Sequence, residues 1–160
     1  MNTDEALRKH VLALLDGGQA HMGFDDVVAD FPPDKINAYP PNVIYTPWHL
    51  IEHIRITQHD ILEYVRDPNY VSPDWPVGYW PERSAKTDRA GWQKTIDQFQ
   101  KDLSDFRAIV ADSKTDLVAP MTHGVPGHTI LREALLIADH NAYHIGELGI
   151  LRQVMDAWPQ

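Results

Sequence analysis

The chain has 160 residues, a formal net charge of −9 and no cysteine. The acidic balance argues against nucleic acid and anionic membranes as partners, because both select clustered Lys and Arg. Without cysteine, a metal site has to be built from histidine and carboxylate side chains. The length predicts one domain over residues 1–160, and the lack of a signal-like or long apolar run predicts a soluble cytoplasmic protein.

Apolar residues at helical spacing predict four long helices separated by Pro- and Gly-rich loops. The predicted helices cover residues 4–16 after an N-cap at Thr3, 47–66 after an N-cap at Thr46, 89–111, and 129–158. A short helix is predicted over residues 24–30. With no alternating strand pattern, the sequence predicts an all-α fold, most simply a four-helix bundle.

The final helix carries two histidines one turn apart, His140 and His144. This spacing places both imidazoles on one helix face, where they can bind the same metal ion. Glu133 and Glu147 fall on the same stripe. Because buried ionisable groups are costly, the stripe predicts a metal site, a hydrogen-bonded network or a wet cavity.

A third metal ligand is predicted on the second helix, where His53 shares a face with Asp60. His49, one turn earlier, is an alternative or fourth ligand, or else a solvent-facing side chain. Three neutral imidazoles leave coordination positions open, as in catalytic rather than structural zinc sites. Zinc is the expected metal, with nickel or iron as substitutes, because imidazole suits all three.

Residues 67–88 form the longest irregular segment and are rich in Trp, Tyr and Pro. So many aromatic rings are unusual in a solvated linker. We expect this segment to plug one end of the bundle or to form a wall of the substrate pocket, and the two roles are compatible.

Two other kinds of metal site, a zinc peptidase site and a di-iron site, are alternatives to the histidine triad. His49, Glu52 and His53 match the H-x-x-E-H signature of inverted zinc peptidases, with Glu52 as general base. Such enzymes need a further acid and a cleft for an extended peptide, and no strand is predicted to supply a sheet edge. A ferritin-like di-iron site is disfavoured because Glu-x-x-His does not occur in the sequence.

Three segments of the sequence carry a family resemblance: 46–63 (TPWHLIEHIRITQHDILE), 75–81 (WPVGYWP) and 127–148 (GHTILREALLIADHNAYHIGEL). Together they resemble the DinB-like superfamily. The resemblance implies a four-helix bundle of the DinB/YfiT-like type, often a homodimer, with a divalent metal bound by a triad at the positions of His53, His140 and His144. The chain departs from the usual pattern at Glu147, where Gln is common, and His49 is not one of the family's metal positions.

Relatives in that superfamily include thiol-dependent S-transferases and isomerases that use bacillithiol or mycothiol. The resemblance implies a metal-dependent transferase or hydrolase that activates a low-molecular-weight thiol, or water, towards a small electrophilic substrate. Glu147 and Asp60 are the candidate catalytic groups, as proton shuttles or ligand-orienting acids. The alternative function is a non-catalytic metal-binding module for stress responses or protein interaction.

Overall fold

A computed structural model describes residues 2–159 as a helical bundle. Its helices are α1 (Thr3–Asp16), α2 (Phe24–Val28), α3 (Pro47–Arg66), α4 (Arg89–Ala111) and α5 (Ile130–Val154), with a 3₁₀ turn at Val77–Tyr79. Apart from one isolated bridge between Pro120 and Thr129, residues 2–159 contain no β-structure. The four long helices form the expected bundle, in which α3 packs against both α4 and α5.

The starts of three long helices follow the capping signals in the sequence. Thr46 accepts a hydrogen bond from the His49 amide at 3.2 Å, and Pro47 occupies the first helical position of α3. Asp88 caps α4 in the same way, and Thr129 caps α5. The bounds predicted for α3 and α4 are confirmed.

Three predicted helix ends differ from the structure. The N-cap of α1 is Asn2 rather than Thr3, because Asn2 and Glu5 exchange side chain to backbone hydrogen bonds in a capping box. The short helix α2 ends at Val28 instead of 30. Helix α5 ends at Val154 instead of 158, because Asp156 adopts a left-handed conformation (φ 49°) and the Ala157 amide donates back to the Arg152 carbonyl at 2.8 Å.

Buried amide side chains connect helices α3, α4 and α5. Gln58 on α3 donates to the carbonyl of Phe99 on α4 at 2.7 Å. Asn141 on α5 donates to the Gln58 side-chain oxygen at 2.9 Å. These bonds, set among fully buried side chains such as Ile54 and Leu148, fix the register of α3 against α5. Within residues 2–159, no helix is long and apolar enough to cross a membrane.

Candidate metal centre

The bundle brings three histidines from two helices together. His53 on α3 faces His140 and His144 on α5, and one imidazole nitrogen from each lies within 4.8 Å of the others. The Nε2 atoms of His53 and His140 are 3.2 Å apart. The ring centroids of His140 and His144 are 4.5 Å apart. The predicted convergence of an α3 histidine with the pair on α5 is therefore present in the fold.

In two of the three rings, the hydrogen bond made by the outer nitrogen determines the tautomer. His53 Nδ1 lies 2.7 Å from the carbonyl oxygen of Tyr79, which can only accept, so Nδ1 carries the proton and Nε2 keeps its lone pair. His144 Nδ1 lies 2.7 Å from a carboxylate oxygen of Glu147 and donates to it in the same way. Both Nε2 lone pairs are thus left for another partner.

The third ring, His140, is less completely bonded. Its Nδ1 is buried and has no hydrogen-bond partner within residues 2–159. Its Nε2 meets the His53 Nε2 at 3.2 Å, either as a donor to that lone pair or as a second ligand to a shared ion. Two nitrogens bound to one ion at about 2.1 Å lie about 3.0–3.4 Å apart for angles between octahedral and tetrahedral. The distance between these two nitrogens is within that range.

Burial keeps all three imidazoles neutral. It lowers the pKa of His53, and it lowers the pKa of His140 to about 4, with His53 as a second cause. The pKa of His144 falls to about 3, through burial and then the proximity of His140 and His53. A neutral imidazole is the form that binds metals, so these rings need no deprotonation near pH 7.

The segment 67–88 lies against the triad. Trp80 stacks on the His53 ring with centroids 3.9 Å apart and planes 4° apart. Tyr45 also packs on Trp80, with ring centroids 5.2 Å apart. Gly78 lets the turn approach Pro73, because a Cβ there would lie 2.6 Å from the proline ring. Trp80 therefore covers one face of His53, and its ring lies 6.4 Å from that of His144.

The candidate acids occupy different positions relative to the triad. Glu147 contacts it directly: one oxygen accepts from His144, and the other accepts from the Tyr45 hydroxyl. Burial raises the pKa of Glu147. Asp60 is buried and accepts from the Tyr79 hydroxyl at 2.8 Å, so it reaches the triad through Tyr79. Glu133 is buried elsewhere, paired with Arg132 at 2.8 Å and His128 at 3.2 Å.

His49 does not join the triad. It is 2% exposed, which corrects the expectation of a solvent-facing side chain, and its Nε2 lies 2.9 Å from the Ala85 carbonyl oxygen. Glu52 forms an ion pair with Arg55 at 2.6 Å and accepts from the Thr95 hydroxyl at 2.8 Å. A peptidase would need His49 and His53 on one metal with Glu52 beside it, and the three side chains point to three different neighbours.

Comparison with known proteins agrees with this geometry. The family model of the DinB superfamily matches residues 7–148, which include all three histidines and Glu147. The chain belongs to the DinB superfamily. Searches of the curated proteins and of the solved structures gave no match. Membership of the DinB superfamily accounts for the helical bundle and for a histidine triad that could hold a metal ion.

Sequence reasoning missed two residues of this DinB superfamily site. Tyr45 lies in a Pro-rich loop that was interpreted as a connection, although its position directly before the Thr46 cap places it at the start of α3. Tyr79 acts on His53 through its backbone carbonyl, which no side-chain pattern in a sequence encodes. Both contacts depend on the path of a loop, and helical periodicity carries no information about that path.

Proposed function

We propose that this protein is a metal-dependent enzyme in which His53, His140 and His144 hold a divalent metal, zinc in the first instance. Its reaction would transfer a low-molecular-weight thiol, or water, to a small electrophilic substrate. Three protein ligands leave coordination positions open, which is typical of catalytic rather than structural sites. The resemblance of the sequence to thiol-dependent relatives favours the thiol over water.

The observation that carries the proposal is the way the outer nitrogens are bonded. The Tyr79 carbonyl and the Glu147 carboxylate accept the Nδ1–H groups of His53 and His144, which leaves the Nε2 lone pairs of both rings for a ligand. One nitrogen from each of the three histidines lies within 4.8 Å of the others. A histidine pair with only a structural role needs no such convergence of lone pairs. Outer acceptors of this kind orient metal-bound histidines and raise their basicity.

The residues around the triad have distinct tasks in this reaction. A bound divalent metal supplies Lewis acidity that lowers the pKa of a thiol or of water. Glu147 can take up the released proton, because burial raises its pKa and its bond to His144 places it beside the triad. Trp80 keeps bulk water off the His53 ring.

Metal content tests the proposed site. After mild dialysis, elemental analysis of the purified protein should find about one divalent ion per chain. The double variant His140→Ala, His144→Ala should contain none, whereas His123→Ala, which changes a histidine bonded to the Tyr64 carbonyl, should keep full occupancy. Unchanged stoichiometry in the double variant would place the metal elsewhere.

The reaction is tested separately. The zinc-loaded protein should consume thiol and electrophile together in a panel of small thiols with alkyl halides, epoxides and activated esters, and the double variant should not. Turnover of esters or amides without thiol would assign water as the nucleophile. Full metal occupancy with no turnover in either panel would favour the non-catalytic binding module.

A further inference from the structure

The link between Asp60 and the triad passes through one residue, Tyr79. The backbone carbonyl of Tyr79 accepts the Nδ1–H of His53 at 2.7 Å, and its phenol donates to the Asp60 carboxylate at 2.8 Å. His53 and Asp60 are seven residues apart on α3, which is two turns of helix on the same face. Tyr79 therefore spans two turns of α3 and is bonded to that helix at both ends.

We propose that Asp60 and Tyr79 form a clamp that fixes His53 as the Nδ1–H tautomer and so presents its Nε2 lone pair to the metal position. This inference rests on the proposed metal site and deepens it. Of the two roles that the sequence suggested for Asp60, it assigns the orienting one and not proton transfer.

The environment of the clamp favours a fixed arrangement. Asp60 is 8% exposed and Tyr79 is 9% exposed, so little water competes for the bond between them. Burial, followed by the Asp60 carboxylate, raises the pKa of Tyr79 to about 12, which keeps the phenol protonated as a donor. Without its phenol bond, the short 3₁₀ turn has less to hold the Tyr79 carbonyl against His53.

The loop around the turn shows the same tight fit. Gly78 approaches Pro73 so closely that an added Cβ would lie 2.6 Å from the proline ring. The Trp80 ring, next in the chain, lies flat on His53. The His53 ring is thus held by a carbonyl at its outer nitrogen and by an indole on its face, both from adjacent residues of one turn.

Zinc affinity, measured by competition with a chromogenic chelator at pH 8, tests the clamp. Tyr79→Phe keeps the ring and removes the bond to Asp60, and should weaken zinc binding about tenfold, at the lower end of outer-shell effects. Asp60→Leu also removes the hydrogen bond between Asp60 and Tyr70, so it should weaken zinc binding at least as much. Adding Tyr79→Phe to Asp60→Leu should cause little further loss, since the bond between Asp60 and Tyr79 is already gone. Asp60→Asn keeps an acceptor oxygen and should retain near wild-type affinity.

Tyr39→Phe is the matched control. The Tyr39 hydroxyl also donates to the segment 67–88, at the Arg83 carbonyl, but it has no bond to the triad or to Asp60. Its removal should leave zinc affinity unchanged. Melting temperatures of the metal-free variants show whether each remains folded, and Tyr79→Phe, the smallest change, carries the conclusion if Asp60→Leu does not fold.

The tautomer of His53 is a readout that a general loss of packing would not change. Long-range proton–nitrogen correlation spectra of the metal-free protein at pH 8 should show His53 as the Nδ1–H form in the wild type and Asp60→Asn, and as a mixture in Tyr79→Phe. Unchanged affinity or an unchanged tautomer in Tyr79→Phe would overturn the clamp, as would equal losses in Asp60→Asn and Asp60→Leu. If the wild type binds no zinc, the proposed function fails, and the tautomer spectra alone decide the clamp.

Discussion

Helix α5 contributes to two clusters of polar side chains that are bonded differently. Arg152, 0% exposed, donates to the carbonyls of Val27, Ala29 and Ala157 at 2.7–3.2 Å. Its guanidinium also lies 4.1 Å from the Trp158 ring centroid. Earlier in α5, the Nε2 of His140 meets the Nε2 of His53 from α3 at 3.2 Å, and the buried Nδ1 of His140 has no hydrogen-bond partner within residues 2–159.

The difference separates a structural anchor from a prepared site. Most buried polar groups that only hold a fold together have their hydrogen bonds completed inside the protein, as Arg152 does. A ligand site keeps lone pairs available for the ligand. Arg152 connects the C-terminal end of α5 to α2 and the residue after it, while the triad has imidazole nitrogens that could hold a metal ion.

The largest effect is expected from removing a ligand of the triad. His53→Ala should weaken zinc binding by about three orders of magnitude or more, which is about 4 kcal/mol. His49→Ala removes a neighbouring buried histidine that bonds the Ala85 carbonyl, and should cost at most about 100-fold. Chelator competition at pH 8 measures both. Equal large losses would mean that His49 also binds the metal, and would close one of the open coordination positions.

Substitution of Arg152 should lower stability and leave zinc affinity unchanged, the reverse of what is expected for the triad. Arg152→Met should lower the free energy of unfolding by about 3 kcal/mol, because three carbonyls, those of Val27 and Ala157 buried, lose a charged donor. Arg107→Met, which removes a half-exposed ion pair with Asp16, should cost less than about 1 kcal/mol. Urea unfolding of the metal-free proteins measures these values. Zinc affinity of folded Arg152→Met should match the wild type, and a large loss would show that the two regions are coupled.

Acid should destabilise the metal-free protein through the triad. The pKa values of His140 and His144 are lowered to about 4 and about 3, whereas an unfolded histidine titrates near 6.5. At pH values between these pKa values, the unfolded chain binds more protons than the folded protein. The free energy of unfolding therefore keeps this contribution above about pH 6.5 and falls as the pH drops towards 4. After allowance for solvent at the half-buried rings, the loss from pH 7 to 5 should be on the order of 2 kcal/mol.

Urea unfolding at a series of pH values, with a chelator present, checks this dependence. His144→Gln should flatten the slope, because it removes one of the groups whose pKa differs between the folded and unfolded states. His10→Gln replaces an exposed histidine and should leave the slope unchanged. A wild-type slope that survives His144→Gln would assign the acid sensitivity to groups outside the triad.

Much of the bundle could be predicted because its signals are local. The Thr46–Pro47 start of α3, the Gly17 stop of α1 and the apolar periodicity of α4 each depend on a few neighbouring residues. The candidate metal ligands could also be predicted, because the spacing of His140 and His144 fixes a shared helix face and His53 lies on the inward face of α3.

The bonding around the triad could not be predicted, since it depends on where loops run. Arg152 was interpreted as part of the last helix, and nothing in its neighbourhood shows that it lies buried against carbonyls 123 and 125 residues away. The bond between His49 and the Ala85 carbonyl could not be predicted for the same reason, since the two residues are distant in the sequence. A backbone acceptor carries no residue-type signal, so its partners become visible only in the fold.

The smallest effect is expected at Glu147, whose two oxygens accept from His144 and from Tyr45. Glu147→Gln keeps one oxygen, which can still accept the His144 Nδ1–H, while its amide can donate to a Tyr45 hydroxyl that turns to accept. Only the charge is lost, so zinc affinity should fall about tenfold at most, or about 1.4 kcal/mol. Glu147→Ala removes the acceptor itself and should cost more, within the 10 to 100-fold typical of outer-shell residues.

Chelator competition at pH 8 separates the two variants, with Tyr45→Phe as the companion that removes the second donor alone. A loss in Glu147→Gln as large as in Glu147→Ala would show that the triad depends on the negative charge of Glu147, and would make this acid part of the electrostatics of the metal rather than a support for His144.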